Sequence, residues 1–142
     1  MSDNPLADEV WRTMAAVVID NRDSWKRAVV ERSGLPFSRI RILKRLSRRS
    51  MSVKELAHAA TIDAPAATVA VNDLEGRGLV AREIDPANRR CKIVSLTEDG
   101  QAMVRTIDAT EDPAPEALTS LDDADLKRLQ SILVRIQSLS DR

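Results

Sequence analysis

The sequence predicts a mainly helical fold with one small β-hairpin: a winged helix-turn-helix lobe over residues 37–96, flanked by long helices at both ends. Three observations carry that expectation. Apolar residues recur every three or four positions through most of the chain, as in helices that bury one face. The period drops to two over 79–84 and 91–96, on either side of the turn-forming stretch Asp85-Pro-Ala-Asn-Arg-Arg90. Three short helical segments stand between Pro36 and that hairpin, which is the element order of a winged lobe. A chain of 142 residues suits one compact domain with its own core.

The elements follow in order. Residues 5–32 read as one long helix, with Leu6, Val10, Met14, Val17, Trp25 and Val29 along its stripe and Gly34 and Pro36 behind it. Residues 37–48 form a second helix, with Phe37, Ile40, Leu43 and Leu46 on one face and arginines on the other. Ser52-Val-Lys-Glu55 is a capping box, in which serine and glutamate each satisfy a free backbone N–H, and it opens a short helix over 53–60. Asp63 caps a fourth helix over 64–76, where Pro65 is tolerated in the first turn and Gly76 and Gly78 close the end. The strands 79–84 and 91–96 follow, joined by the basic loop 85–90. Thr97 caps the next helix, with acids in its first turn where the helix dipole favours them, and Pro113 and Pro115 interrupt what comes after. A last helix spans about 122–139 on the stripe Leu126, Leu129, Ile132, Leu133, Ile136 and Leu139.

The balance of 22 basic against 22 acidic residues hides an asymmetry. Residues 1–36 carry a net of −1, residues 37–97 a net of +6 and residues 98–142 a net of −5. The basic part coincides with the winged lobe. The densest run is Arg39, Arg41, Lys44, Arg45, Arg48, Arg49 and Lys54, with no acid among them. Such a run either solvates a helix face or marks a surface for an anionic partner.

Other classes are excluded. One Cys and one His support neither a structural zinc site nor a disulfide within the chain, so no metal or cofactor is expected. A hydrolytic triad would rest on His58 alone, and there is no glycine-rich phosphate loop, so an enzyme is not expected. No apolar run is long enough to cross a membrane. The acidic start lacks the features of a signal peptide, and a cytoplasmic protein is expected. The terminal segments carry more apolar stripe than a 60-residue lobe needs, and pairing them with a second copy would bury it in a two-fold dimer.

The run Leu79 to Met103 resembles the wing of the MarR family of transcriptional regulators: Gly78-Leu79-Val80, Asp85-Pro86, Arg89-Arg90, Leu96-Thr97 and Gly100 match its pattern. Val53-Lys-Glu-Leu-Ala57 is similar to the start of the family's helix-turn-helix, Leu74-Glu-Gly-Arg-Gly78 to the end of its recognition helix, and residues 121–133 to its last helix. The likeness covers nearly the whole chain. It implies a single domain over 1–142, with 1–36 and 97–142 as dimerisation helices around the lobe. It further implies a homodimeric repressor of double-stranded DNA on a pseudo-palindromic operator, in many relatives released by a small aromatic molecule.

Site residues follow from matching positions. Arg90 falls on the family's wing-arginine position, with Arg89 beside it, because a long cation suits a narrow minor groove. Asn88 stands where relatives usually have an acid that holds that arginine. On the fourth helix, Ala64, Pro65, Ala66, Thr68, Val69 and Asn72 are the groove-facing candidates, with Asn72 suited to adenine and the small apolar groups to thymine methyls. That stretch has no Lys or Arg, whereas relatives often place arginine at the positions of Val69 and Asp73; Asp63, Asp73 and Glu75 make it acidic. Phosphate contacts are therefore expected from Ser52, Lys54, Arg77 and Arg39. The acidic helix leaves open a second reading, a small-molecule sensor or interaction module with weak DNA binding. Trp11, Met14, Trp25 and Phe37 either pack a core or line a site for a small aromatic ligand. Cys91 is read as inert and His58 as an ordinary helix residue.

Overall fold

A computed structural model describes residues 3–140 and divides into two compact units, one ending at Glu111 and one beginning at Asp112. The first opens with α1 (Pro5–Asp20), capped by Asn4, whose side chain accepts the Ala7 N–H at 3.0 Å. It is followed by α2 (Asp23–Ser33). The single helix expected over 5–32 is thus two. Asn21 ends the first: its side-chain amide donates back to the Val17 carbonyl at 2.8 Å and its N–H to that of Val18 at 3.3 Å. Asparagine competes in this way with the continuing helix, and no apolar residue in Asp20-Asn-Arg-Asp23 opposes it. Gly34 closes α2 at φ +70°, in the left-handed region where a side chain costs energy.

α3 (Phe37–Leu46) leads to a two-residue strand, β1 (Met51–Ser52). Next come α4 (Val53–Ala60) and α5 (Ala64–Gly76), which form the helix-turn-helix. The capping box is present on both sides: Ser52 Oγ accepts the Glu55 N–H at 3.1 Å and Glu55 Oε1 accepts the Ser52 N–H at 3.3 Å. Thr61 makes the tight turn between the helices at φ +56°. Asp63 caps α5 by accepting the Ala66 N–H at 2.7 Å.

β2 (Val80–Asp85) and β3 (Asn88–Leu96) form the wing, and β1 pairs antiparallel on the far side of β3. The sheet order is β1-β3-β2, with Met51 opposite Val94 and Arg82 opposite Val94 from the other side. This corrects two expectations. The hairpin belongs to a three-stranded sheet, because the free edge of β3 at Ile93 and Val94 takes up Ser52 and Met51 just before α4. The second strand also starts at Asn88 and not at Cys91, so Arg89 and Arg90 fall within β3, in a bulge between the pairs Asp85–Asn88 and Ile84–Lys92, next to the two-residue turn Pro86-Ala87.

α6 (Glu98–Asp108) is capped by Thr97, whose hydroxyl accepts the Gly100 N–H at 3.0 Å and donates to the Gly78 carbonyl at 2.6 Å. The helix therefore starts hard against the base of the wing. A Cβ at position 100 would collide with the Leu79 carbonyl oxygen, so only glycine fits. The core of this unit is Val29, Ile40, Leu43, Leu56, Val71, Leu74, Val94 and Ile107, all fully buried. Each such side chain contributes about 1.5–3 kcal/mol on burial. Because α5 puts Val71 and Leu74 into this core, its opposite face must look outward.

The second unit contains Pro113, Pro115, a single turn α7 (Glu116–Thr119) and α8 (Asp123–Ser140). No residue of α1 or α8 is buried. No helix among the described residues is long and apolar enough to cross a membrane.

Candidate nucleic-acid interface

α5 buries Ala67, Ala70, Val71 and Leu74 and exposes everything else along its length except the half-exposed Asp73. All six residues expected to face a groove, Ala64, Pro65, Ala66, Thr68, Val69 and Asn72, are exposed on it. The row is small and uncharged: Val69 is 61% exposed, and the Thr68 hydroxyl donates back to the Ala64 carbonyl at 3.0 Å. It can therefore approach base edges closely without presenting charge.

The acids of this helix are each engaged. The Asp63 carboxylate is spent on the helix N-terminus. Asp73 Oδ2 accepts from Arg39 Nε of α3 at 2.9 Å, and its Oδ1 accepts from Arg77 Nε at 3.1 Å. The Arg39 hydrogen bond, followed by that of Arg77, holds the Asp73 carboxyl below the usual carboxylate range. Glu75 Oε1 lies 3.5 Å from Arg82 Nη1, which arrives from β2. Arg82 Nη2 also donates to Asn72 Oδ1 at 2.6 Å. Three arginines outside α5 thus neutralise what its sequence makes acidic.

This arrangement redistributes the expected phosphate contacts. Arg39 and Arg77 are the two partners of Asp73, and Arg39 is the more buried of them. Lys54 is exposed at the start of α4, and the Ser52 hydroxyl, already accepting from Glu55, retains its proton as a donor. Arg49 pairs with Glu55 at 2.9 Å, so that carboxyl, too, is held below its ordinary range, chiefly by Arg49 and then by the Ser52 N–H.

The wing tip is tied by its own side chains. Asp85 Oδ1 accepts the Ala87 N–H at 2.9 Å, and Asn88 Oδ1 accepts the Arg90 N–H at 3.2 Å. Asn88 therefore shapes the tip backbone where an acid would have held the guanidinium. Among the described residues neither Arg89 nor Arg90 is in an ion pair, and both are exposed. Cys91 is exposed, and the Asn88 side-chain amide lies 3.5 Å from its sulfur.

The four residues considered for a ligand separate. Trp25 and Phe37 meet edge to face, with centroids 5.9 Å apart, and line a cleft of about 560 Å³ between the end of α1, α2 and α3. Arg22 lies over the Trp25 ring at 4.2 Å and Lys26 over Phe37 at 5.0 Å. Arg41, Arg45 and Arg48 also line it, and no acid among the described residues does. Trp11 and Met14 do not line it, and Trp11 is 68% exposed on α1.

Arg82 is the residue that sequence reading passed over. It sits in an alternating strand, and nothing in the local pattern says that the strand leads it back over the last turn of α5. The available signal is the tight Gly76-Arg-Gly78 connection, which leaves a cation six residues from Gly76 little choice but to lie near Asn72 and Glu75.

Comparison with known proteins agrees with this geometry. Residues 36–92 match the MarR family model. The transcriptional regulator BldR from Sulfolobus solfataricus is 26% identical, with a TM-score of 0.63, over 95% of this chain and 99% of that one. MarR from E. coli in its apo form is 19% identical, with a TM-score of 0.72, over 95% and 98%. A mutant MepR from S. aureus bound to an oligodeoxyribonucleotide is 17% identical, with a TM-score of 0.60, over 93% and 96%. The latter two likenesses are of fold. No curated protein matches the chain.

Proposed function

We propose that this chain, whose residues 36–92 match the MarR family model, is a cytoplasmic DNA-binding transcriptional repressor that takes a pseudo-palindromic operator as a homodimer. The single observation that carries the reading is the pairing of every acid on α5 beside an exposed, uncharged row. A helix that looked too acidic for DNA is neutral where it would meet bases. This pairing favours the DNA-binding reading over the sensor-only alternative. α5 enters the major groove, Arg89 and Arg90 reach the adjacent minor groove, and Lys54 and Ser52 hold phosphates.

The homodimer is supported by two helices that bury nothing. α1 exposes Leu6, Val10, Trp11 and Ile19, and α8 exposes Ile132, Leu133, Ile136 and Leu139. An unburied stripe of that size in a chain of this length calls for a partner surface, and a second copy supplies one with two-fold symmetry. The effector is proposed to be a small aromatic anion, since the cleft at Trp25 and Phe37 offers ring faces and cations together.

The experiment is capture of genomic fragments by the full chain, followed by gel shift of the enriched sequence. The reading expects an inverted repeat of roughly 20 bp, with half-sites about one helical turn apart. Enrichment of no fragment above non-specific level would overturn it. A melting temperature raised by aromatic acids, which bind only the native state, tests the effector.

A further inference from the structure

The cleft between the end of α1, α2 and α3 holds more positive charge than a simple aromatic acid balances. Arg22, Lys26, Arg41, Arg45 and Arg48 line it, and none of the five is in an ion pair among the described residues. A further cation there, Lys44, is paired with Asp108 of α6. Arg22 and Arg45 are half-buried. Like charges drawn together out of full solvent repel, and a concave wall concentrates their field. A single carboxylate offsets one of them. A chain of phosphates adds negative charge with every group and offsets most of them. Four of the five are arginines, whose planar forks match phosphate oxygens in pairs.

We propose that this cleft is a site for a ring-bearing polyphosphate, of the class of nucleoside diphosphates and triphosphates, with Arg41, Arg45 and Arg48 on the phosphates and Trp25 and Arg22 against the ring. The proposal deepens the effector reading above and rests on it: the aromatic anion carries phosphates and not a lone carboxylate. The ring's place comes from the half-buried Trp25 and Phe37, which meet edge to face, and from the Arg22 guanidinium 4.2 Å from the Trp25 centroid. Aromatic and guanidinium planes both stack on a base. A volume of about 560 Å³ suits a molecule of that size. The orientation of α3 favours a free molecule over a duplex. Successive helix residues turn by about 100°, so Arg41, Lys44 and Arg45 stand on the side of α3 opposite Arg39, the residue that reaches Asp73 of α5. The cations of the cleft therefore point away from the helix that would meet bases.

The test is titration of the full chain, read by tryptophan fluorescence and calorimetry, with adenosine diphosphate, adenosine, pyrophosphate and benzoate. Adenosine diphosphate is expected to bind at least roughly tenfold more tightly than adenosine or benzoate, the scale of a charge-assisted hydrogen bond, and more tightly than pyrophosphate, which lacks the ring. Arg41→Gln together with Arg45→Gln is expected to weaken adenosine diphosphate by at least roughly tenfold. Without ligand the double variant is expected to melt no lower than wild type, because the repulsion goes with the charges. The salt slope of its operator binding is expected to match that of wild type. Benzoate binding as tightly as adenosine diphosphate would overturn the proposal and leave the effector reading standing. Pyrophosphate doing so would remove the ring and overturn it as well. Binding of none of the four would overturn proposal and effector reading together. A salt slope lowered by about two in the double variant would place these arginines on the duplex and also overturn the proposal.

Discussion

Asp73 of α5 and Arg39 of α3, thirty-four positions apart in the chain, share a hydrogen bond of 2.9 Å that ties the second helix of the helix-turn-helix to α3. Exposed or half-exposed ion pairs stabilise a fold only modestly. The value of this one lies in charge: with Arg77 on the other oxygen, it cancels an acid at the place where a phosphate backbone would repel it.

That pair sets a pH dependence. The Asp73 carboxyl is depressed in the folded chain by Arg39 and then Arg77, so the unfolded chain binds its proton more readily. The stability it contributes is present above the ordinary carboxylate value of about 3.9 and is lost as pH falls through the lower folded value. Asp73→Asn should therefore melt with a flatter dependence on pH below about 4 than wild type. Thermal melts of both proteins between neutral and strongly acidic pH check this, and parallel curves would contradict it.

Gly100 sits against the Leu79 carbonyl where no Cβ fits. Gly100→Ala should push α6 away from the base of the wing and cost about 2–4 kcal/mol of stability, a large value for one methyl group. Urea denaturation measures it. A loss below about 1 kcal/mol would mean that the helix shifts freely.

Thr61 holds a left-handed backbone at φ +56° to close α4. A threonine there is strained by about 1 kcal/mol, and glycine is not. Thr61→Gly should raise the stability by about 0.5–1 kcal/mol with no change in the unfolding m-value.

The exposed stripe of α8 should be an interface. Leu133→Glu together with Ile136→Glu places charges on residues now 39% and 42% exposed. Sedimentation should find a dimer for wild type and a monomer for the double variant, with its circular dichroism retained. A monomeric wild type would contradict the two-fold arrangement.

What the sequence made legible was local. The capping box at Ser52, the caps at Asp63 and Thr97, and the bounds of α4 and α5 depend on side chains reaching neighbours three residues away, and each lies where it was read. What it hid was either a weak local competition or a distant contact. The break at Asn21 turns on one side-chain amide outcompeting a continuing helix, against an apolar spacing that carries straight on. β1 is two residues long and exists only because β3 runs beside it. The acidity of α5 was visible, but its neutralisation was not, since Arg39, Arg77 and Arg82 come from α3, the turn and β2. Arg89 and Arg90, singled out by the family resemblance, read as loop residues because Asp-Pro-Ala-Asn composition signals a turn longer than Pro86 and Ala87.

The most direct test of the DNA-binding account is the affinity of the Arg90→Ala dimer for the captured operator, measured by gel shift across a range of salt. Arg90 is exposed at the wing and holds no ion pair among the described residues. Removing it should weaken operator binding at least roughly tenfold and flatten the salt dependence by about one counterion, with the dimer intact. Equal affinity and an unchanged salt slope would show that the wing does not touch the duplex.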